Sequence, residues 1–245
     1  MQSEPIPFPL RINRYLALRG IATRKAADTL ISAGKVLING APAELGTKVT
    51  ADDIVEVRQT GKARVYRYFA YYKPRGIISH SPERGERAIA DIFSEKGVFP
   101  VGRLDKASEG LIIATDDGRI TERLLHPRFV HEKEYEVRVQ EEVPANIAEK
   151  LIIGIESDGD LLRAKKVKKI GRTELNIILT EGKKHQIRRM LSALHLTVKE
   201  LRRLRIMNVR IGDLGPGEAR RIAGPELDAF LKELGLATTG SVPRV

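Results

Sequence analysis

Gly102-Arg103-Leu104-Asp105-Lys106-Ala107-Ser108-Glu109-Gly110-Leu111 is the stretch on which the fold turns. The apolar run Val98 to Val101 enters it and Leu111 to Thr115 leaves it. Both runs have the length and composition of buried strands. Between them, two glycines bracket a polar segment holding one Asp, one Glu and two cations. Loops between strands carry catalytic side chains disproportionately. A plain acidic turn, with Asp105 bonding its own backbone, accounts for the same spacing. The spacing by itself leaves both readings open.

Outward from this loop, strand patterns recur at Tyr68 to Tyr72, Tyr135 to Val139, Leu175 to Thr180 and Val198 to Met207. Helix patterns lie at Arg119 to Leu125, Ala145 to Ile152, His185 to Leu194 and Glu226 to Leu234. Strands outnumber helices and do not alternate with them strictly. This predicts an α+β fold with a mixed, mainly antiparallel sheet and flanking helices. Residues 8–58 read as a separate small α+β unit. Leu10 to Arg19 has helical spacing, and Gly20 fits a left-handed stop. Thr23 is an N-cap for a second helix, and Gly34 ends it. Val36 to Ile38, the turn Asn39-Gly40, and Ile54 to Val57 complete it as short strands. A polar linker is expected over 59–67, a second unit over 68–236 and a flexible tail over 237–245.

Composition narrows the function. The 245 residues hold 43 Lys and Arg against 32 Asp and Glu, a net charge of +11. Cysteine is absent, which excludes disulfides, thiolate metal sites and Cys nucleophiles. The five His have no metal-ligand spacing, so no metal is expected. The N-terminus lacks the basic and apolar regions of a secretory signal, and no apolar run approaches the ~18 residues of a membrane span. The expectation is a cytoplasmic protein with a polyanionic partner, nucleic acid by default. The charge is uneven: residues 163–210 alone hold 15 Lys and Arg and only three Glu. Clusters this dense read as contacts to an RNA backbone. If six to ten phosphates are engaged, affinity falls ~10³–10⁵-fold between about 50 and 200 mM salt.

Residues 102–111 match, at every fixed position, the GRLD-xx-[ST]-x-GL motif of the pseudouridine synthases. The chain resembles the branch of that family that contains RsuA, RluB, RluE and RluF. Tyr72-Lys73-Pro74-Arg75-Gly76 is similar to its KPxG motif, and His131 to Tyr135 to its KxY motif. Thr180 to Met190 is similar to its third motif, and Arg205 to Val209 is closest to the RluF type. The small unit, with Arg11, Arg14, Gly20, Thr23, Arg24, Lys25 and Gly34, is similar to an S4-type RNA-binding domain. The chain departs from the pattern near Gly217 to Ile222, where Ala219 stands in place of a common Trp.

The resemblance implies a two-domain enzyme that isomerises uridine to pseudouridine in ribosomal RNA, most closely large-subunit RNA. A folded stem-loop is the expected partner, with tRNA as a secondary substrate and a monomer as the working form. Breaking the glycosidic bond and rejoining the base through C5 exchanges no electron or phosphate, so no cofactor is expected. The resemblance makes Asp105 the carboxylate at the anomeric carbon. It makes Tyr135 the ring under the target base, with Leu179 completing an apolar wall. Arg103 fills the gap left by the extruded base. Lys73, Lys133 and Lys184 are expected to contact phosphates or loops. A lone buried Asp tends to protonate, so a cation must stand beside it. On a helix from His185 to Leu194, Arg188 lies at the edge of an apolar stripe and Arg189 nearly opposite. The resemblance implies an Asp105–Arg188 pair, with a snorkelling Arg188 as the plain alternative. Arg189 is expected to face solvent or RNA. Arg11, Arg14, Arg24, Lys25, Lys165, Lys166, Arg202 and Arg203 complete the expected RNA contacts.

Two rival readings remain at this point. One is a non-catalytic RNA-binding or ribosome-assembly factor built on the same modules. The other is a glycoside hydrolase using Asp105 with Glu109, which the basic surface and the scarcity of aromatic residues disfavour.

Overall fold

A computed structural model of the chain describes residues 8–58, 65–80, 82–83, 85–93 and 95–236. Part of the expected linker, 59–64, and the tail, 237–245, lie outside them. Among the described residues, no helix is long and apolar enough to cross a membrane.

The small unit forms as its punctuation predicts. The helix Ile12–Leu18 is followed by Gly20 at φ +72°. The Thr23 hydroxyl accepts a 3.0 Å hydrogen bond from the Ala26 N–H and so caps the helix Arg24–Ser32. Asn39 and Gly40, both at positive φ, turn the strand Val36–Ile38 into Ala41–Pro42, and Val55–Val57 pairs on its other side. Ile12, Leu16, Ala27, Ile31 and Val36 form its own apolar core.

The larger unit is a nine-stranded sheet. Its main path runs Lys166–Lys169, Glu174–Leu179, Lys133–Val139, Val198–Ile206, Glu109–Thr115, Tyr68–Lys73, Ala219–Arg221. Every strand pair in it is antiparallel except Val198–Ile206 with Glu109–Thr115, which is parallel and short. This parallel joint divides the sheet into halves with separate cores. Tyr72, Leu111, Ile113 and Phe230 belong to one; Tyr135, Val137, Leu179 and Ile187 belong to the other. The expected strands and helices all form, within a few residues of their expected ends. Glu109 and Gly110, read as loop, begin a strand instead. Ala219, the position that departs from the family pattern, is exposed on the edge strand Ala219–Arg221.

Two unexpected elements lie just before the basic stretch and at its start. Ile155–Ser157 and Asp160–Leu162 form a hairpin, and Lys166–Lys169 is the edge strand of the sheet. Only Val167 of that edge strand is buried, so it carries almost no apolar signal. Its lysines blunt an edge that would otherwise invite pairing with another chain.

Arg123 ties the two units together. It lies on the helix Arg119–Leu125. One of its amino groups donates to the Leu234 and Gly235 carbonyls at 2.6 and 3.2 Å, and the other to the Leu18 carbonyl at 2.7 Å. It thereby satisfies carbonyls at the ends of two helices, one in each unit.

The joint itself depends on Gly110. Its φ is +106°, and a Cβ there would stand 2.4 Å from the Arg203 carbonyl oxygen and 2.6 Å from the Arg203 nitrogen. Backbone on both sides leaves no room to relax. Gly110→Ala is expected to cost at least about 3 kcal/mol of stability, measured by urea denaturation. A loss under about 1 kcal/mol would show that the joint opens freely.

Candidate active site

The loop that carries Asp105 leads directly into the joint. A Ser108 N–H to Asp105 carbonyl hydrogen bond of 3.0 Å closes its turn. Leu104 packs on the core of one half-sheet, whereas Leu111 lies in that of the other. The loop therefore bridges two cores.

The segment after Tyr68–Lys73 holds it from one side. The Gly76 N–H donates to the Lys106 carbonyl at 2.7 Å. Ser79 Oγ lies 3.0 Å from both the N–H and the carbonyl of Leu104, donating to one and accepting from the other. His80 Nε2 lies 3.1 Å from the Gly102 carbonyl. Lys73 in turn holds this segment, because its ammonium donates to the Pro74 and Ile77 carbonyls at 2.9 and 2.7 Å. Lys73 has no exposed surface, so of the expected phosphate or loop contacts it makes the loop contact. Its short reach to two nearby carbonyls turns the ammonium inward.

Arg203 likewise lies inside. It is 4% exposed and donates to the Leu111 carbonyl at 2.7 Å and the Arg103 carbonyl at 3.4 Å. It braces the base of the loop and has no face free for RNA. Arg103 itself is exposed, and its guanidinium makes no hydrogen bond or ion pair to the described residues.

On the other side stand the helix Gln186–Ser192 and its N-cap, His185. The expected Asp105–Arg188 ion pair does not form. Arg188 donates instead to the Ala107 carbonyl at 3.1 Å, to Ser108 Oγ at 3.2 Å and to the Val198 carbonyl at 3.4 Å. Burial lowers its guanidinium from the ordinary value, and the Asp105 charge acts against that lowering. The premise behind the pair also changes, because the Asp105 side chain is 35% exposed and water helps to solvate it. The side chain in reach of its carboxylate is His185, with Nε2 3.4 Å from Oδ1. His185 was not among the expected site residues, and helical spacing could not have marked it, because it lies just before the helix in a left-handed conformation.

Tyr135, Leu179, Ile187 and Leu104 belong to one apolar cluster beside this polar loop. Tyr135 and Leu179 lie on adjacent strands and are almost fully buried. The two residues of the expected wall therefore share one apolar cluster. Arg189 does not face open solvent: its side chain is 17% exposed and ion-paired to Asp158 and Asp160 at 3.0 and 2.9 Å. It anchors the unforeseen 155–162 hairpin. Lys184 is exposed beside the site.

Much of the basic stretch is neutralised by acids earlier in the chain. Lys165 pairs with Glu132, Arg172 with Glu142, Arg202 with Glu136, and Arg205 with Glu132 and Glu134. A bulge between Arg203 and Arg205 allows this. It brings Arg202 and Arg205, three apart, opposite Glu136 and Glu134, two apart. Lys166 remains exposed. In the small unit, Arg11, Arg14, Arg24 and Lys48 line one open groove with Phe8, Pro9 and Leu10, and Lys25 is exposed nearby.

Lys133 is half-buried, 3.4 Å from the His131 carbonyl. Burial, and then the Arg203 charge, pushes its ammonium down to about 8; burial does the same to Lys73. An unfolded lysine releases its proton near ~10.4. Between these values the unfolded chain holds the proton and the folded chain does not, so stability rises with pH across that window. The gain is lost as pH falls through about 8. Lys133→Met is expected to reduce the rise in unfolding free energy between about pH 7.5 and pH 10, measured by urea denaturation.

Residues 67–193 match the RNA pseudouridylate synthase family and residues 10–55 match the S4 domain. The dual-specificity RNA pseudouridine synthase RluF of Escherichia coli K12 is 37% identical over 91% of this chain and 79% of its own. An uncharacterized RNA pseudouridine synthase of Aquifex aeolicus is 35% identical over 93% of this chain and 96% of its own. The ribosomal large subunit pseudouridine synthase B of Bacillus subtilis is 33% identical over 89% and 93%. A crystal structure of a pseudouridylate synthase superposes with a TM-score of 0.66 at 26% identity, covering 92% of this chain and 99% of that one. These matches span both the small and the larger unit, and the chain belongs to the RNA pseudouridine synthase family.

Proposed function

We propose that this chain converts a uridine of ribosomal RNA to pseudouridine, with Asp105 meeting the anomeric carbon. What supports this reading is a partly exposed carboxylate on a loop braced from both sides, whose neighbour Leu104 packs on the apolar cluster of Tyr135 and Leu179. The bond from C1′ to N1 breaks, the uracil turns, and a bond from C1′ to C5 forms. C5 loses a proton and N1 gains one, so the product is an isomer. Asp105 serves as nucleophile or as stabiliser of the positive charge developing on the sugar. Tyr135 presents a ring face to the base, and Leu179 backs it. Arg103, free of protein partners, fills the gap left by the extruded base at a cost of a few kcal/mol. Arg188 positions the loop through Ala107 and Ser108. Lys184 meets phosphate at the rim.

Residues 8–58 serve as the anchoring unit, through the groove of Arg11, Arg14, Arg24 and Lys48, and residues 68–236 as the isomerising one. Large-subunit RNA is the leading substrate, which the names of the relatives support. A folded stem-loop is the recognised form, with tRNA secondary, and the enzyme works as a cytoplasmic monomer.

Pseudouridine mapping of ribosomal RNA, in cells lacking the protein and complemented with wild type or Asp105→Asn, tests the reading. One site is expected to vanish in the deletion and to return with wild type alone. An unchanged map in the deletion overturns it. The cations of 163–210 not spent on acids, together with the groove of the small unit, are expected to engage about six to ten phosphates. Affinity for the RNA is then expected to fall ~10³–10⁵-fold between about 50 and 200 mM salt, and a weak salt dependence would count against this footprint.

A further inference from the structure

We propose that His185 is a positioning residue for Asp105, holding one carboxylate oxygen so that the other is presented to the substrate. This rests on the reading of Asp105 as the reacting carboxylate. The His185 Nε2 to Asp105 Oδ1 distance is 3.4 Å. No other ion pair to Asp105 forms among the described residues, and Arg188 is occupied by the loop backbone. A carboxylate on a loop turns about its side-chain bonds unless a donor fixes it, and reaction requires a nearly fixed approach. Ser79 fixes the peptide before Asp105 through both polar groups of Leu104. It does not touch the carboxylate. His185 supplies that missing contact.

The backbone is arranged for it. His185 has φ +53° and ψ +27°, a left-handed conformation uncommon for a residue with a side chain. A position that required only this turn would be served better by glycine. Here the residue at the turn carries an imidazole, and the turn aims it across the cleft at the opposite loop. The ring is 49% exposed, so it can follow the carboxylate as RNA enters. The contact reaches from the third motif to the first and joins the two walls of the site through side chains.

The test uses three variants of the full chain with an RNA fragment carrying the target uridine. His185→Gly suits the left-handed backbone and removes the ring. His185→Gln restores a donor near the position of Nε2. Asp105→Asn is the control. The single-turnover rate in His185→Gly is expected to fall about tenfold or more, the size of one hydrogen bond, with RNA affinity within about twofold of wild type. His185→Gln is expected to recover part of the rate. A wild-type rate in His185→Gly, or a loss of rate matched by an equal loss of affinity, overturns the role. No recovery in His185→Gln also overturns it. An inactive Asp105→Asn beside an unimpaired His185→Gly sinks the His185 role alone, whereas full activity in Asp105→Asn sinks both readings.

Discussion

Two backbones can approach within the reach of a methyl group only where the methyl group is missing. Gly110 meets that condition against Arg203, and the rest of the larger unit depends on it. The contact closes the single parallel joint in an otherwise antiparallel nine-stranded sheet, and so holds two half-sheets and two cores in one body. The loop ahead of that glycine has one end on each core. A loop held this way loses little further entropy on meeting a substrate. The same approach brings the Arg203 guanidinium beneath the loop, where it takes up two main-chain carbonyls that burial would otherwise leave unpaired.

Charge in this protein is organised by register more than by sequence. The most basic stretch of the chain faces acids that lie decades of residues earlier. The bulge at Arg203 and Arg205 makes the arginines of one strand coincide with Glu134 and Glu136 of its neighbour. Cross-strand pairs of this kind each contribute modestly and together fix the pairing. Net charge over a block of sequence therefore overstates the positive surface the fold presents. The small unit keeps its cations on an open groove, since its strands are short and supply few acids opposite them.

The local punctuation was legible in the sequence. Gly20, the Thr23 cap and the Asn39-Gly40 turn act within a few residues of chain, so each acts in the fold as it reads. The strands around Asp105 were legible for the same reason, whereas the pairing of Tyr135 with Leu179 was implied by the family resemblance, and the two lie in one buried cluster. The destinations of long cationic side chains were not. Lys73 and Arg203 carry the same chemistry as Arg103 or Lys184, and only the tertiary environment decides which of them turns inward to a carbonyl. Arg188 was correctly aimed inward by its helical face, but helical periodicity could not say whether a carboxylate or a backbone carbonyl would meet it. Lys166–Lys169 was invisible because an edge strand needs little apolar content.

The clasp at Arg123 has a bearing on how this architecture can be varied. All of its acceptors are main-chain carbonyls, at Leu18, Leu234 and Gly235. Every amino acid supplies a carbonyl, so the side chains at those three positions are not dictated by the clasp. This part of the docking of the small unit is thus written in backbone geometry, with the donor of the clasp on the larger unit. A foreign module whose first helix ends at the same place would present the same acceptor, and the modular exchange of RNA-anchoring units would leave Arg123 with its partner intact.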